Sequence, residues 1–201
     1  AQHCADTCAA LGVELEVHSI AFELKPGASP EEAARDMRYH TLLGAMREGE
    51  VLLLAQHRDD QAETVMLQLL RGAGPHGLSA MPVLAAAGPA ENTPAIVRPM
   101  LSLSREQIVA WANDNALHWV EDPTNKDMAY RRNAVRHRLM PVLRALEPAA
   151  SRQLATLALQ QQQAAGLLDE LAAQDLALCR VTEAQLAVVP LLGLSRERQF
   201  N

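Results

Sequence analysis

His57, Asp59, Asp60 and Glu63 fall close together in His57-Arg58-Asp59-Asp60-Gln61-Ala62-Glu63-Thr64, directly after the apolar run Val51-Leu52-Leu53-Leu54-Ala55. Paired carboxylates beside an imidazole are the residue types that hold cations and move protons. Their position adds to the case. The apolar run reads as a buried parallel strand, and the residues after it carry apolar side chains at helical spacing, so the acids sit at a strand-to-helix turn. In open parallel α/β sheets, ligands bind in the crevice beyond the carboxyl ends of the strands.

A plainer reading stands beside this one. Asp60-x-x-Glu63 also has the form of a capping box, with Asp60 accepting from the backbone of Glu63 and the Glu63 side chain reaching back. Capping and chemistry are about equally served by those two residues, whereas His57 and Asp59 are surplus to a cap. Ala62, Val65, Met66, Leu69 and Leu70 form the expected buried face of the helix, and Gly72 or Gly74 can end it in the left-handed conformation.

A second chemical feature lies downstream. Residues 130–145 hold Arg131, Arg132, Arg136, Arg138 and Arg144 and no acid, giving +5 within a chain of net charge −6. The overall charge argues against indiscriminate coating of nucleic acid, because such binding rests on neutralising phosphates. The local cluster fits a confined phosphate or RNA contact, or a solvated helix face.

The elements that must position these groups can be read from pattern. Residues 1–11 read as the end of a helix, with Cys4, Cys8 and Leu11 on one buried face, and Val13 to Ile20 alternates like a strand. Lys25-Pro26-Gly27-Ala28 is a loop, and Ser29-Pro30-Glu31-Glu32 launches a helix to about Gly49. The Val51 strand and its helix come next. Residues 81–94 form an Ala/Pro/Gly-rich loop, residues 95–98 a short strand, and Ser104 caps a helix running to about Asn115. Asp122-Pro123-Thr124-Asn125 is a turn, and Pro141 and Pro148 punctuate the helical pattern after the arginine cluster. Beyond Pro148, Leu154, Leu157, Ala158, Ala165, Leu168, Leu171 and Ala172 keep one apolar face of a long helix, with Gln160–Gln163 on its surface.

With 201 residues, 49% hydrophobic and 21% charged, the chain has an ordinary globular composition. No apolar run is long enough to cross a bilayer, and the start has no secretory signal, so the expected compartment is the cytoplasm. Three cysteines without a CxxC or a Cys/His metal spacing are expected to stay reduced. The chain lacks an initiator Met, enters mid-helix and has no glycine-rich phosphate loop. It therefore reads as an interior piece of a longer protein, expected to be inactive alone.

Three blocks together resemble one family, the tRNA(Ile)-lysidine synthetases. They are Glu32 to Tyr39; Gln56 to Thr64 with Leu69-Leu70-Arg71-Gly72-Ala73-Gly74 and then Gly77 to Met81; and Asp122 to Asn125 with Arg131-Arg132-Asn133-Ala134-Val135-Arg136-His137. The resemblance spans roughly Glu31 to Leu143. It implies an α/β fold, a parallel sheet flanked by helices of the PP-loop adenine-nucleotide-binding type, incomplete here, in residues 1–143. A helical linker and the start of a second domain occupy residues 144–201.

The activity it implies is a two-step ligation. ATP, with Mg²⁺, adenylates the C2 carbonyl oxygen of the cytidine at the first anticodon position of tRNA(Ile) with a CAU anticodon, and L-lysine then displaces AMP to form lysidine. Asp60 and Glu63 would hold and deprotonate the lysine amine, while Arg38 and Arg132 would face the reacting phosphate and the activated base. His57, Asp59, Asn133 and Arg136 join Asp60 and Glu63 as expected substrate-binding residues, and no protein-held metal site is expected. A homodimer is compatible with the resemblance, and no membrane partner is expected. Two departures stand out: Gln56-His57 replaces a common pair of histidines, and the serine-glycine-glycine pyrophosphate loop is absent. The alternatives are another tRNA-modifying enzyme of the same fold, such as a thiolase, or a non-catalytic RNA-binding module.

Overall fold

The computed structural model describes residues 2–20, 30–87, 93–182 and 184–201, with the side chains of all of these but residues 30–32 and 126. The expected loop at 25–28 and the capping box at Ser29–Glu32 lie outside what is described. In chain order the elements are α1 (Gln2–Leu11), α2 (Pro30–Ala45), β1 (Val51–Leu53), α3 (Arg58–Leu69), α4 (Pro75–Leu78), β2 (Leu84–Ala86), β3 (Ala95–Val97) and α5 (Arg105–Asp114). A 3-10 turn at Pro123–Lys126 precedes α6 (Arg131–Ala134), a π-helical turn at Val135–Leu139 and α7 (Met140–Leu146). The last elements are α8 (Ala150–Cys179), β4 (Arg180–Thr182), β5 (Gln185–Leu186), α9 (Val188–Leu192) and α10 (Arg196–Gln199).

The site-bearing sheet has the order β1-β3-β2. β1 and β3 are parallel, with Leu52 opposite Ile96, as the strand–helix–strand order requires. β2 runs antiparallel to β3, with Ala85 opposite Ile96, so the sheet is small and mixed. This strand lies inside the segment expected to be a loop. Its alanines carry little strand propensity, and the neighbouring β3 edge supplies the ladder that local pattern could not reveal. β4 and β5 form a separate antiparallel pair.

Several expectations of burial are corrected. Val51 and Leu53 are 51% and 64% exposed, so β1 is parallel but not enclosed. Leu69 and Leu70 lie outside the core. The proposed face of α1 is not buried either: Cys4 is exposed, Cys8 half-buried and Leu11 exposed, all three facts reflecting a helix without a packed side among the described residues. Both cysteines are free thiols, as is the buried Cys179. Val13 to Ile20 forms no ladder with the described strands, because alternation is a local signal and pairing needs a second strand.

The core forms where α3 meets the helices after the arginine cluster. Ala62, Met66, Val135 and Met140 are buried together, with Leu67, Leu139, Leu143 and Leu154 packed around them. α8 spans 30 residues, about 45 Å at the standard helical rise, and packs along α3 and α4. Ala158 and Ala165 are its buried small residues, and they admit close backbone approach. At the end of α3, Gly72 adopts φ +73, the left-handed turn expected of it, while Gly74 is extended and caps α4.

The helical run from Arg131 has a defined irregularity. Met140 donates its N–H to Val135 five residues back rather than to the usual fourth, making a π turn. Pro141, one residue on, has no N–H for the His137 carbonyl, and its ring would press on that group in regular α geometry. The widened turn relieves that conflict.

Candidate functional site

α3 starts three residues earlier than the Asp60 cap would place it. His57 is the N-cap, its Nδ1 accepting from the Asp60 N–H at 3.4 Å, while Asp60 Oδ2 accepts from the His57 N–H at 3.0 Å. The capping box is therefore His57–Asp60, and Glu63 has no part in it. Imidazole at the cap frees Glu63 for another partner. The backbone bonds from Arg58 N–H to Leu103 O at 2.9 Å, and from Leu54 N–H to Val97 O at 2.9 Å, tie this start to the β3 side of the sheet.

Glu63 is 2% exposed, and such a carboxylate must be paired. It meets two arginines. Arg136 approaches with Nε 2.6 Å from Oε1 and Nη2 2.8 Å from Oε2, and Arg132 places Nε 3.0 Å from Oε2. Both guanidinium groups also reach Asp60 Oδ1, at 3.0 Å from Arg132 Nη2 and 3.1 Å from Arg136 Nη2. Arg132 and Arg136 project together because they stand four residues apart, about one helical turn. Burial alone would lower the Arg136 pKa, but the Glu63 hydrogen bonds and the charges of Glu63, Asp60 and Asp59 raise it above its ordinary value.

Asp59 belongs to a neighbouring arrangement. Its Oδ2 accepts from the Arg105 backbone at 2.9 Å, and its Oδ1 receives Arg144 Nη2 at 2.6 Å. Ser151 accepts from Arg144 Nε and Nη2 at 3.2 and 3.1 Å. Burial pushes the Asp59 carboxyl up, yet the Arg105 N–H, the Ser151 hydroxyl, Arg144 and His57 together hold it below its ordinary value.

Asn133 is buried and serves the Asp122–Asn125 turn. Its amide donates to Thr124 O at 2.9 Å and Asp127 O at 2.8 Å, and His137 Nε2 lies 2.9 Å from Asn125 O. Asp122 caps the turn through the Thr124 hydroxyl at 2.7 Å and backbone N–H at 2.9 Å, which keep its carboxyl below the usual range. The resemblance made Asn133 a substrate ligand; its amide donors are engaged in holding this loop against α6.

Of the residues singled out from the sequence, His57, Asp60, Glu63, Arg132 and Arg136 come together, with Asp59 beside them and Asn133 behind. Arg38 stands apart, exposed on α2 and with no hydrogen bond or ion pair to the cluster among the described residues. Arg131 and Arg138 are exposed and bond neither Asp60 nor Glu63 among the described residues. Sequence reasoning overlooked four supporting residues. Arg144 lay inside the cluster but was not distinguished within it, and Ser151 gave no local signal. Gln61 clamps Met81 from both sides, accepting its N–H at 3.1 Å and donating to its carbonyl at 2.9 Å. Arg98, 6% exposed, donates Nε to Gln56 Oε1 at 2.5 Å and Nη1 to Pro82 O at 2.9 Å, which gives Gln56 a structural occupation.

A cavity of about 720 Å³ opens beside Arg132, between Arg35 and Asp36 of α2, Thr64 and Arg71 at α3, and Tyr130 and Arg131. A ligand of nucleotide size fits that volume. Four arginines, Arg35, Arg71, Arg131 and Arg132, line it against two acids, Asp36 and Asp127, a balance that favours an anion.

Residues 1–143 match the family model of the PP-loop domain. The chain is similar to the tRNA(Ile)-lysidine synthase of Pseudomonas fluorescens (strain Pf0-1), with 46% identity over 174 residues, covering 87% of this chain and 38% of that protein. It is 45% identical over 201 residues to the enzyme of that name from Alkalilimnicola ehrlichii, covering 100% of this chain and 44% of that one. For Coxiella burnetii the figures are 41% over 199 residues, 99% and 43%. The chain thus spans less than half the length of these relatives. Among solved structures it resembles the U34-tRNA thiolase NcsA from Methanococcus maripaludis, with a TM-score of 0.63 at 14% identity over 79% of this chain and 54% of that one, a likeness of fold. The parallel β1–β3 pair, the helix after β1 and the family match over most of its length identify the chain as a member of the PP-loop domain family.

Proposed function

We propose that this chain works in lysidine formation: ATP-dependent ligation of L-lysine to C2 of the cytidine at the first anticodon position of tRNA(Ile) with a CAU anticodon, through adenylated tRNA. The names of its relatives support the reaction. The observation that carries it in the structure is the four-residue cluster of Asp60, Glu63, Arg132 and Arg136 at the turn after β1.

In the first step the cytidine C2 oxygen attacks the α-phosphorus and pyrophosphate leaves. Arg132 and Arg136 each bond the acids through Nε and Nη2, and neither Nη1 is engaged among the described residues, so each presents a fixed donor to a phosphoryl oxygen. Donors held before the reaction stabilise developing charge without reorganising. In the second step the lysine amine attacks C2, AMP leaves, and the amine proton passes to a base. Asp60 Oδ2, which also lies 3.5 Å from His57 Nε2, and Glu63 Oε1 each accept a single hydrogen bond, which leaves acceptor capacity for an ammonium group and its proton. Arg38 would reach the nucleotide from α2, whose Arg35 and Asp36 line the larger cavity, and His57 keeps Asp60 oriented through the cap.

Mg²⁺ would come with the nucleotide. Among the described residues no three His, Cys, Asp or Glu gather as a metal site, and Asp60 and Glu63 already face guanidinium groups. A magnesium ion commonly keeps waters and phosphate oxygens as its main ligands, so this reading assigns it no protein cage. The reaction's setting is the cytoplasm, where tRNA is modified; among the described residues no helix is long and apolar enough to cross a membrane.

The test uses the full natural protein, with adenylation and lysine transfer measured separately. Asp60→Asn and Glu63→Gln should slow adenylation by loosening Arg132 and Arg136 and should reduce lysine transfer from adenylated tRNA further still, and normal transfer by both variants would overturn the assignment. A non-catalytic RNA-binding module would need the arginines and not the acids. Because the acids also hold the arginines, the readout that separates the two is lysine transfer and not tRNA affinity.

A further inference from the structure

A second cavity, of about 350 Å³, lies outside the Asp60–Glu63 cluster, where Arg58, Arg144 and Arg152 converge with Ser104 and Ser151. We infer that this cavity binds a phosphate group, and that its occupant is a backbone phosphodiester of the RNA. The choice of RNA rests on the proposed function; the phosphate chemistry does not.

Three observations converge. Arg58 Nε is shielded from solvent and has no hydrogen-bond partner among the described residues, although Arg58 Nη1 reaches Ser102 O at 3.4 Å. A sheltered guanidinium N–H without an acceptor is costly, and an oxyanion in the adjoining cavity would supply one. Arg144 is held by Asp59 and Ser151 with Nη1 left over, and Arg152 is exposed with no carboxylate partner among the described residues. Finally, the 30-residue α8 begins at this cavity with Ala149 as its cap, no side-chain cap bond and no acid in its first turn. Its positive end therefore adds to the three guanidinium groups, while α5 already has its own cap from Ser104.

The acids at the cavity do not cancel this field. Asp59 is engaged by Arg144 and the Arg105 N–H, Glu106 lies exposed in the first turn of α5, and Glu147, ahead of α8, is exposed and accepts the Ala149 N–H at 2.9 Å. An arginine fork takes a carboxylate or a phosphate, but three guanidinium groups and two serine hydroxyls converging from different directions suit the several oxygens of a phosphate rather than the two coplanar ones of a single carboxylate.

The experiment uses the full natural protein in two arms. In the first, inorganic phosphate is titrated while the arginine Nε–H resonances and backbone amides are followed by NMR. The Arg58 Nε–H and the Ser151 and Arg152 amides should shift saturably, and Arg152→Glu should abolish the shift while Arg138→Glu, an equal change of charge on an exposed neighbouring segment, leaves it. In the second arm, tRNA affinity is measured against salt: Arg152→Ala should reduce the slope of log K against log salt by about one, the effect of losing one phosphate contact. Both results support the proposal. A phosphate response with an unchanged tRNA slope keeps the site and assigns it a free phosphoryl ligand instead of RNA. Phosphate binding in a protein that forms no lysidine would sink the proposed function and leave the site. Absence of both responses, with the variants folded by their melting curves, overturns it.

Discussion

Arg136 and Glu63 meet fork to fork, with both guanidinium donors Nε and Nη2 on separate oxygens of one carboxylate that is 2% exposed. Such a pair fixes the plane of the guanidinium as well as its position. It links the start of α3 to the helical run carrying the arginine cluster. Whatever ligand the arginines face, Glu63 decides their orientation.

Removing one side of that pair should be expensive. Glu63→Gln leaves Arg132 and Arg136 with Asp60 as their one shared carboxylate, and loss of one partner of a buried pair costs about 3–5 kcal/mol. The arginine side chains are 22% exposed, so the lower end is expected. Denaturant unfolding of Glu63→Gln, Arg136→Ala and the double variant would show it: the double should be less destabilised than the sum of the singles, and strict additivity would contradict the coupling.

Arg132→Ala and Arg138→Ala should separate site from surface. Both remove one positive charge, yet only Arg132 bridges Asp60 and Glu63. Adenylation of bound tRNA should slow with Arg132→Ala and stay near the unmodified rate with Arg138→Ala. Equal rates for both variants would return Arg132 to surface charge.

Stability should depend on acid through Asp59. Its carboxyl is held below its ordinary value, so the folded state prefers the ionised form; that stabilisation is complete above about pH 4, the unfolded value, and is lost as pH falls through the lower folded one. Melting curves of Asp59→Asn should lack this component. A variant with the same acid limb as the unmodified protein would show that the Arg144 and Arg105 contacts contribute nothing.

Gln61→Leu should act on Met81 rather than on chemistry. It leaves the Met81 N–H and carbonyl without their side-chain partners, at a cost of about 1–3 kcal/mol. Hydrogen exchange should accelerate at the Met81 amide. Unchanged protection there would mean the clamp is redundant.

The parts of the fold legible in the sequence were those with local causes. β1, β3, the amphipathic α3 and the Ser104 start of α5 followed from runs, spacing and capping; Ser104 accepts from Gln107 N–H at 3.2 Å and Gln107 reaches back at 2.8 Å. The gathering of Asp60 and Glu63 with Arg132 and Arg136 was what the family resemblance implied, the four-residue spacing of the two arginines accounting for their shared face. The misread parts depended on distant partners. His57 took the cap from Asp60 because an imidazole acceptor at that position is an uncommon cap with no pattern of its own. β2 formed from Leu84 and two alanines because β3 offered an edge. Asn133 could be placed near the turn at Asp122, but that its donors serve two carbonyls is a tertiary fact.

The π turn ahead of Pro141 changes the phase of the whole helical run. An extra residue in one helical turn rotates everything after it by roughly a hundred degrees about the axis, at 3.6 residues per regular turn. Arg132 and Arg136 stand before or within the turn, Arg144 after it. The same continuous rod therefore addresses two different carboxylate stations on α3, Asp60 with Glu63 and, separately, Asp59. Pro141→Ala, by permitting the rod to rewind into uniform pitch, would put those stations out of phase, so that Arg144 could keep its hold on Asp59 only at the expense of the Arg136–Glu63 fork.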